Sequence, residues 1–98
     1  MAKWRQAAKV NENQKDIVDE LRKEPGISVE LGHDDIIVGY KGRNYWYEIK
    51  DPAKTLDKDG RVKKNAIKPS QIKLLREYTG HYRIVWTLDE ILHEIKNK

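Results

Sequence analysis

The stretch Gly32-His33-Asp34-Asp35-Ile36-Ile37-Val38, followed shortly by Tyr47-Glu48-Ile49-Lys50, decides how the chain is read. It sets an acid at the start of one apolar strand and Glu-x-Lys on the next. Successive strand residues point to opposite faces, so Glu48 and Lys50 share a face about 7 Å apart. Asn44 and Trp46 fall on that face, while Tyr45, Tyr47 and Ile49 fill the other. If the two strands pair, Asp35 sits beside Glu48. Two carboxylates and a lysine on one face can hold a divalent cation and a water, the minimum for metal-assisted hydrolysis. The plain alternative for Glu48 and Lys50 is an exposed cross-strand charge pair.

Outward from this pair, Lys41-Gly42-Arg43-Asn44 makes a hairpin turn. Ile36 to Tyr40 is nearly continuous in apolar residues, which predicts a central strand, and Tyr45 to Lys50 returns antiparallel to it. Upstream, Ile27 to Leu31 alternates as a strand does. Val10 to Glu24 predicts a helix on the spacing of Gln14, Ile17, Val18 and Leu21. Asn11 with Gln14 resembles a capping box, Asn13 is a rival cap, and Pro25-Gly26 stops the helix. Downstream, Asp51-Pro52 ends the strand, and residues 51–68 show no clear period. A loop of that length in a small domain is more often functional or mobile than incidental. Pro69 fits the first turn of a helix to about Tyr78, with Ile72, Leu75 and Tyr78 expected inward and Thr79-Gly80 as its end. His81 to Trp86 is a further strand. Thr87-Leu88-Asp89-Glu90 is a capping box for a last helix with Leu88, Ile91, Leu92 and Ile95 on its apolar face. The order αβββαβα predicts one α/β domain over residues 1–98, a mixed sheet flanked by helices.

Composition narrows the class. With 98 residues, 38% hydrophobic and 37% charged, the chain is lean for a globular core, and a partner subunit would help it. The absence of Cys excludes disulfides and zinc–thiolate sites and suits an intracellular location. No apolar stretch is long enough for a membrane span and no signal peptide is read. The net charge of +4 is unevenly spread: residues 51–73 hold seven Lys/Arg against three Asp/Glu, and the remainder of the chain balances. Lys54, Lys58, Arg61, Lys63, Lys64, Lys68 and Lys73 therefore make a basic segment directly after Glu-x-Lys, which suggests a polyanionic substrate. The plain reading is a solvated loop.

These residues carry a resemblance. Asp35 followed by Glu48-Ile49-Lys50, between a leading helix and an αβ unit, resembles the PD-(D/E)xK nuclease superfamily, and within it the small stand-alone VRR-NUC domain typical of bacteriophage. Asn13-Gln14, Ile17-Val18 and Leu21-Arg22 on the first helix, the run Asp35 to Tyr45, Glu48 to Asp51, Pro69-Ser70-Gln71 and the segment Val85 to Ile91 carry it, over about residues 10–95. The resemblance implies a restriction-endonuclease-like αβββαβ(α) core. It implies a structure-specific endonuclease for branched DNA, resembling a homodimeric Holliday-junction resolvase, with Mg²⁺ or Mn²⁺ and no small-molecule cofactor, working in the cytoplasm of a bacterial or phage-infected cell. Asp35, Glu48 and the Ile49 carbonyl would ligate the metal. Lys50 would position or help deprotonate the attacking water, and Gln71 would assist from the following helix. Gln14 matches a family position whose plain reading is capping, as helix-start polarity is for Gln71. Asp34 stands where Pro is usual, so it is a candidate extra ligand; Asp35 is taken as the metal acid because it abuts the apolar strand. Glu12 and Asp16 are both candidates for a first-helix acid. Lys68 replaces a usual capping Thr, which weakens that helix start by about 1 kcal/mol.

Other features have bland readings. Asp57-Lys58-Asp59-Gly60 begins like a calcium loop, but Val62 and Lys68 stand where Gly and an acid are required, so it reads as a tight turn. Lys63 and Lys64 most simply bind phosphates. Trp46 could stack on a splayed base or pack as core; Tyr82 and Trp86 read as structural. His33, His81 and His93 lack metal-ligand spacing, although His33 neighbours the site. The competing functions are a DNA-binding module with a vestigial site and a recombination-complex subunit with no nuclease activity of its own.

Overall fold

A computed structural model describes residues 12–32 and 35–97, with the backbone alone at residue 12. The readings that rest on Val10, Asn11, the Glu12 side chain, His33 and Asp34 lie outside the described residues. The elements are α1 (Glu12–Lys23), β1 (Ile27–Leu31), β2 (Asp35–Tyr40), β3 (Arg43–Ile49), α2 (Pro52–Thr55), α3 (Pro69–Glu77), β4 (Tyr82–Val85) and α4 (Leu88–Lys96). This is an α/β chain whose four strands form one mixed sheet in the order β1-β2-β3-β4. The first three pair antiparallel, and β4 joins β3 in parallel.

The hairpin forms, but its turn is shorter than the Lys41 to Asn44 reading: Arg43 and Asn44 already belong to β3 and pair with Tyr40 and Gly39. Lys41 and Gly42 both take positive φ, 51° and 79°, which matches the two-residue turn whose twist suits flanking strands. Tyr40 is thereby opposite Arg43, and the pairing runs on to Ile36 opposite Tyr47 and Asp35 opposite Glu48. Ile36, Val38, Tyr45, Tyr47 and Ile49 are buried on one face. Against them pack Ile17, Val18 and Leu21 of α1 and Ile91 and Ile95 of α4. Gly26 after α1, at φ 81°, is the expected left-handed stop. Thr87 and Glu90 form the expected capping box at α4.

Three further expectations are corrected. Residues 51–68 are not a structureless loop. Asp51 accepts from the Ala53 backbone N–H and Pro52 takes the first turn of α2, so the pair that ends β3 also starts a helix. Leu56 then bridges antiparallel to Val62 around the Asp57 turn, in which Asp57 Oδ1 accepts from the backbone of Asp59 and Arg61. The Trp86 indole donates to Thr55 Oγ1 at 2.8 Å and ties this segment to the end of β4.

Second, α3 is turned differently from its apolar spacing. Ile72, Leu75 and Tyr78 are 44%, 47% and 47% exposed, whereas Gln71 is buried at 7% and Leu74 is half-buried. The helix lies against β4, and Tyr78 at its end reaches Trp46. That side of the sheet presents Asp35, Trp46, Glu48 and Tyr82, and a polar face asks for a polar helix side. Third, Gly80 does not end α3 by a positive φ. Tyr78 is the C-cap, and a Cβ at Gly80 would lie 2.9 Å from the Tyr78 ring, so the glycine serves close approach.

Candidate functional site

The site grows from the β2–β3 register. Asp35 opens β2 directly opposite Glu48, so the two carboxylates share the face turned away from the main core. Lys50 lies just past β3, where its backbone N–H donates to Val85 O at 2.9 Å and keeps it in line with the strand. Its Nζ is 3.8 Å from Glu48 Oε2, and both side chains are only about a tenth exposed, 11% and 9%. The exposed-charge-pair alternative for Glu48 and Lys50 therefore fails on burial. Ile49 between them points its side chain into the core.

Other elements fix this corner. The Asn13 side-chain amide donates to Lys50 O and to Trp86 O, each at 2.8 Å. Asn13 is thus a clamp from α1 onto the ends of β3 and β4, a role its sequence position as a rival cap does not disclose. Gln14 is buried next to it, and Asp16 is exposed on α1. Gln71 is buried on the first turn of α3, where its Oε1 accepts from the Lys68 backbone N–H at 3.1 Å. This is the return half of a capping box; the other half, a side-chain acceptor at Lys68 for the first-turn N–H groups, is missing because an ammonium has none.

Two aromatic residues belong to the site. The Trp46 indole N–H donates to Asp35 Oδ2 at 2.5 Å. Tyr82 and Tyr78 set their rings edgewise to Trp46, with centroids 4.8 Å and 5.2 Å away. Trp46 is therefore engaged within the fold, and neither of its two readings, base stacking or core packing, anticipates the bond to Asp35. The register does contain the signal: Trp46 is diagonal to Asp35 across the hairpin, within reach of a long side chain.

Burial first, and then the charges of Glu48 and Asp35, push the Tyr82 hydroxyl up from 10.0 to about 12. Folding holds that proton more tightly, so its contribution to stability is complete below pH 10.0 and is lost as pH rises through about 12. Alkaline titration followed by phenolate absorbance, in a Tyr47→Phe background that removes the other late tyrosine, is expected to show one late tyrosine that moves to lower pH in Asp35→Asn. A late tyrosine unmoved by that change would place Tyr82 away from the carboxylate.

Among the described residues no group of three or more His, Asp or Glu converges as a metal cage. Two hard carboxylates nonetheless suit Mg²⁺ or Mn²⁺, which take oxygen ligands and keep several waters. Past Lys50, the side chains of Lys54, Lys58, Arg61, Lys63, Lys64 and Lys68 are all exposed, on a segment held by α2 and the Asp57 turn.

The opposite side of β3 carries a second polar group. Tyr47 O–H donates to Glu94 Oε1 at 2.5 Å, and His81 Nε2 lies 2.9 Å from the same oxygen. Arg83 is 3.6 Å from both Glu94 and Glu90. Burial, then the bond to Glu94, drives the Tyr47 hydroxyl well above the ordinary tyrosine range. His81 thus has a structural partner in Glu94.

Comparison of the chain with known protein families, with curated proteins and with solved structures gave no match. No helix among the described residues is long and apolar enough to cross a membrane.

Proposed function

We propose that the chain is a metal-dependent, structure-specific DNA endonuclease with a restriction-endonuclease-like core of the VRR-NUC kind, acting as a homodimer on branched DNA such as a four-way junction. The observation that carries this reading is Asp35 opposite Glu48 with the buried Lys50 ammonium 3.8 Å from Glu48, followed by a segment whose basic side chains from Lys54 onward are exposed. Asp35, Glu48 and the Ile49 carbonyl would hold Mg²⁺ or Mn²⁺, which would supply Lewis-acid polarisation of the phosphate and make a nearby water easier to deprotonate. Lys50 orients the attacking water and faces the charge that builds on the phosphate. Gln71, buried at the start of α3, supports the site from the helix side.

Lys54, Lys58, Arg61, Lys63, Lys64 and Lys68 hold the DNA backbone, so recognition is by shape and phosphate and falls steeply with salt. Changing Lys63 and Lys64 to Ala is expected to reduce the slope of log affinity against log salt by about 0.9 for each phosphate that the variant no longer neutralises. An unchanged slope removes them from the interface.

Two carboxylates paired without a metal repel each other, so saturating Mg²⁺ is expected to raise the melting temperature. At a hundred times Kd the gain is about 2.7 kcal/mol. That is on the order of 10 °C for a chain of this size. Glu48→Gln abolishes the shift. Absence of any shift in the unaltered chain counts against the site.

The deciding experiment is cleavage of a labelled four-way junction beside linear duplex, flap and single strand, with Mg²⁺, Mn²⁺ or EDTA. Paired symmetric nicks on the junction alone, lost in EDTA, are expected. Metal-dependent cutting of flaps or single strands instead keeps the nuclease and discards the resolvase. Tight binding without cutting in any metal returns the chain to a DNA-binding module.

A further inference from the structure

Asp35 stands at the start of a strand, where a short side chain ordinarily samples several rotamers. Here one oxygen is held by a neighbour that would not itself bind metal, and the other has its room from a glycine. Oδ2 accepts from the Trp46 indole. Oδ1 occupies the space beside Gly32, where a Cβ would lie 2.1 Å from it. The Gly32 backbone N–H also donates to Asp35 O at 2.8 Å.

The indole is a donor that has no acceptor and no second protonation state near neutral pH, so its direction does not change when a cation arrives. Its ring is fixed in turn. Tyr82 and Tyr78 meet it edgewise at 68° and 89°. Gly80 leaves room for the Tyr78 ring, which a Cβ there would approach to 2.9 Å. An aromatic ring alone would satisfy the packing. The N–H is needed only if the Asp35 carboxylate must be aimed.

The geometry points to Trp46 as the residue that positions Asp35 for a divalent cation, with Gly32, lacking a Cβ, leaving the space that Oδ1 takes. This rests on the metal-dependent reading proposed above. A carboxylate oxygen holding one hydrogen bond still has a lone pair to offer, so Trp46 orients Asp35 without occupying it. Partners of this kind, which bind a ligand rather than the metal, typically account for about 10- to 100-fold in metal affinity. Trp46 acts through Asp35 and touches no reacting atom.

The test is Mn²⁺ binding to the full chain, read from the electron spin resonance of the free ion. It compares the unaltered chain, Asp35→Asn, Trp46→Phe, and a chain bearing 3-benzothienylalanine at position 46. That last side chain keeps the shape of indole but has sulfur in place of the N–H. Both Trp46 variants are expected to bind Mn²⁺ about 10- to 100-fold more weakly. The Mn²⁺ concentration giving half-maximal cleavage should rise in step. The benzothienyl chain should also melt in EDTA within a few degrees of the unaltered one, which separates the hydrogen bond from packing. If Trp46→Phe does not fold, the benzothienyl chain decides. Unchanged Mn²⁺ affinity in that chain, with Asp35→Asn weakened, overturns the positioning role and leaves the metal site standing. An unaltered chain that binds no more Mn²⁺ than Asp35→Asn overturns both.

Discussion

Lys50→Ala is expected to slow cleavage by about 10²- to 10⁴-fold while DNA binding changes little, because a positioned proton-transfer or charge-stabilising group contributes on that scale. The structure adds a second, independent expectation. Lys50 Nζ lies 3.8 Å from Glu48 Oε2 in a pair that is almost enclosed. Removing the ammonium leaves the Glu48 and Asp35 carboxylates facing each other with less compensation, and unbalanced buried charge is costly. Melting in EDTA should therefore fall, by an amount equivalent to about 1–3 kcal/mol. Mg²⁺ should restore much of the loss, since the cation takes over the balancing charge. Two assays on one variant thus give opposite responses to metal: stability recovers and cleavage does not. Cleavage that is unchanged in Lys50→Ala ends the proposed mechanism.

Glu94→Ala is expected to be the most destabilising single change to a polar residue in the chain, at roughly 2–4 kcal/mol. One carboxylate oxygen takes the Tyr47 hydroxyl and lies against His81 and Arg83. Its loss takes the partner from Tyr47 and His81 and leaves Arg83 with Glu90 alone, and His81 Nδ1 is already buried without a hydrogen bond among the described residues. For a domain of this size each kcal/mol moves the melting point by about 4–8 °C. Tyr47→Phe removes a single O–H and should cost about 1 kcal/mol. A Glu94→Ala loss no larger than that of Tyr47→Phe would refute the shared-partner account. The acid limb gives a further check. Burial works to raise the Glu94 pKa, but the bonds from Tyr47 and His81 and the charges of His81 and Arg83 outweigh it, so the carboxyl is held below its ordinary 4.5. Its stabilisation is present above that value and is lost as pH falls through the folded one, and Glu94→Ala should remove this part of the acid sensitivity.

Much of this architecture is legible because the strands obey a period of two. The alternation from Tyr45 to Ile49 is enough to put Glu48 and Lys50 on one face, but a turn over Lys41 to Asn44 would set Asp35 opposite Lys50, and the shorter Lys41-Gly42 turn is what sets it opposite Glu48. The helices are less legible. Apolar spacing in α3 points to Ile72 and Leu75, yet Gln71 faces inward, because spacing says which residues share a stripe and not what the opposing surface is made of. Asp51-Pro52 reads first as a strand breaker, although Asp before Pro is equally a helix start, and α2 follows from it. Asn13 bridges two carbonyls more than 30 residues apart in the chain, at Lys50 and Trp86, a long-range role no local pattern contains. The Trp46–Asp35 bond lies between these cases: the register implies the diagonal neighbour, but an aromatic residue suggests stacking and packing before it suggests a donor.

The tight Lys41-Gly42 turn has a bearing on fidelity. A slip of one residue along β2 would turn Ile36 and Val38 to solvent and at the same time carry Asp35 out of line with Glu48. The alternation that shields the apolar side chains from water is the same alternation that assembles the acids. A misaligned hairpin would therefore fail as a folded object before it could persist with its acids out of line. No separate proofreading of the site is required: any population of chains that has buried Tyr47 has also brought its two carboxylates face to face.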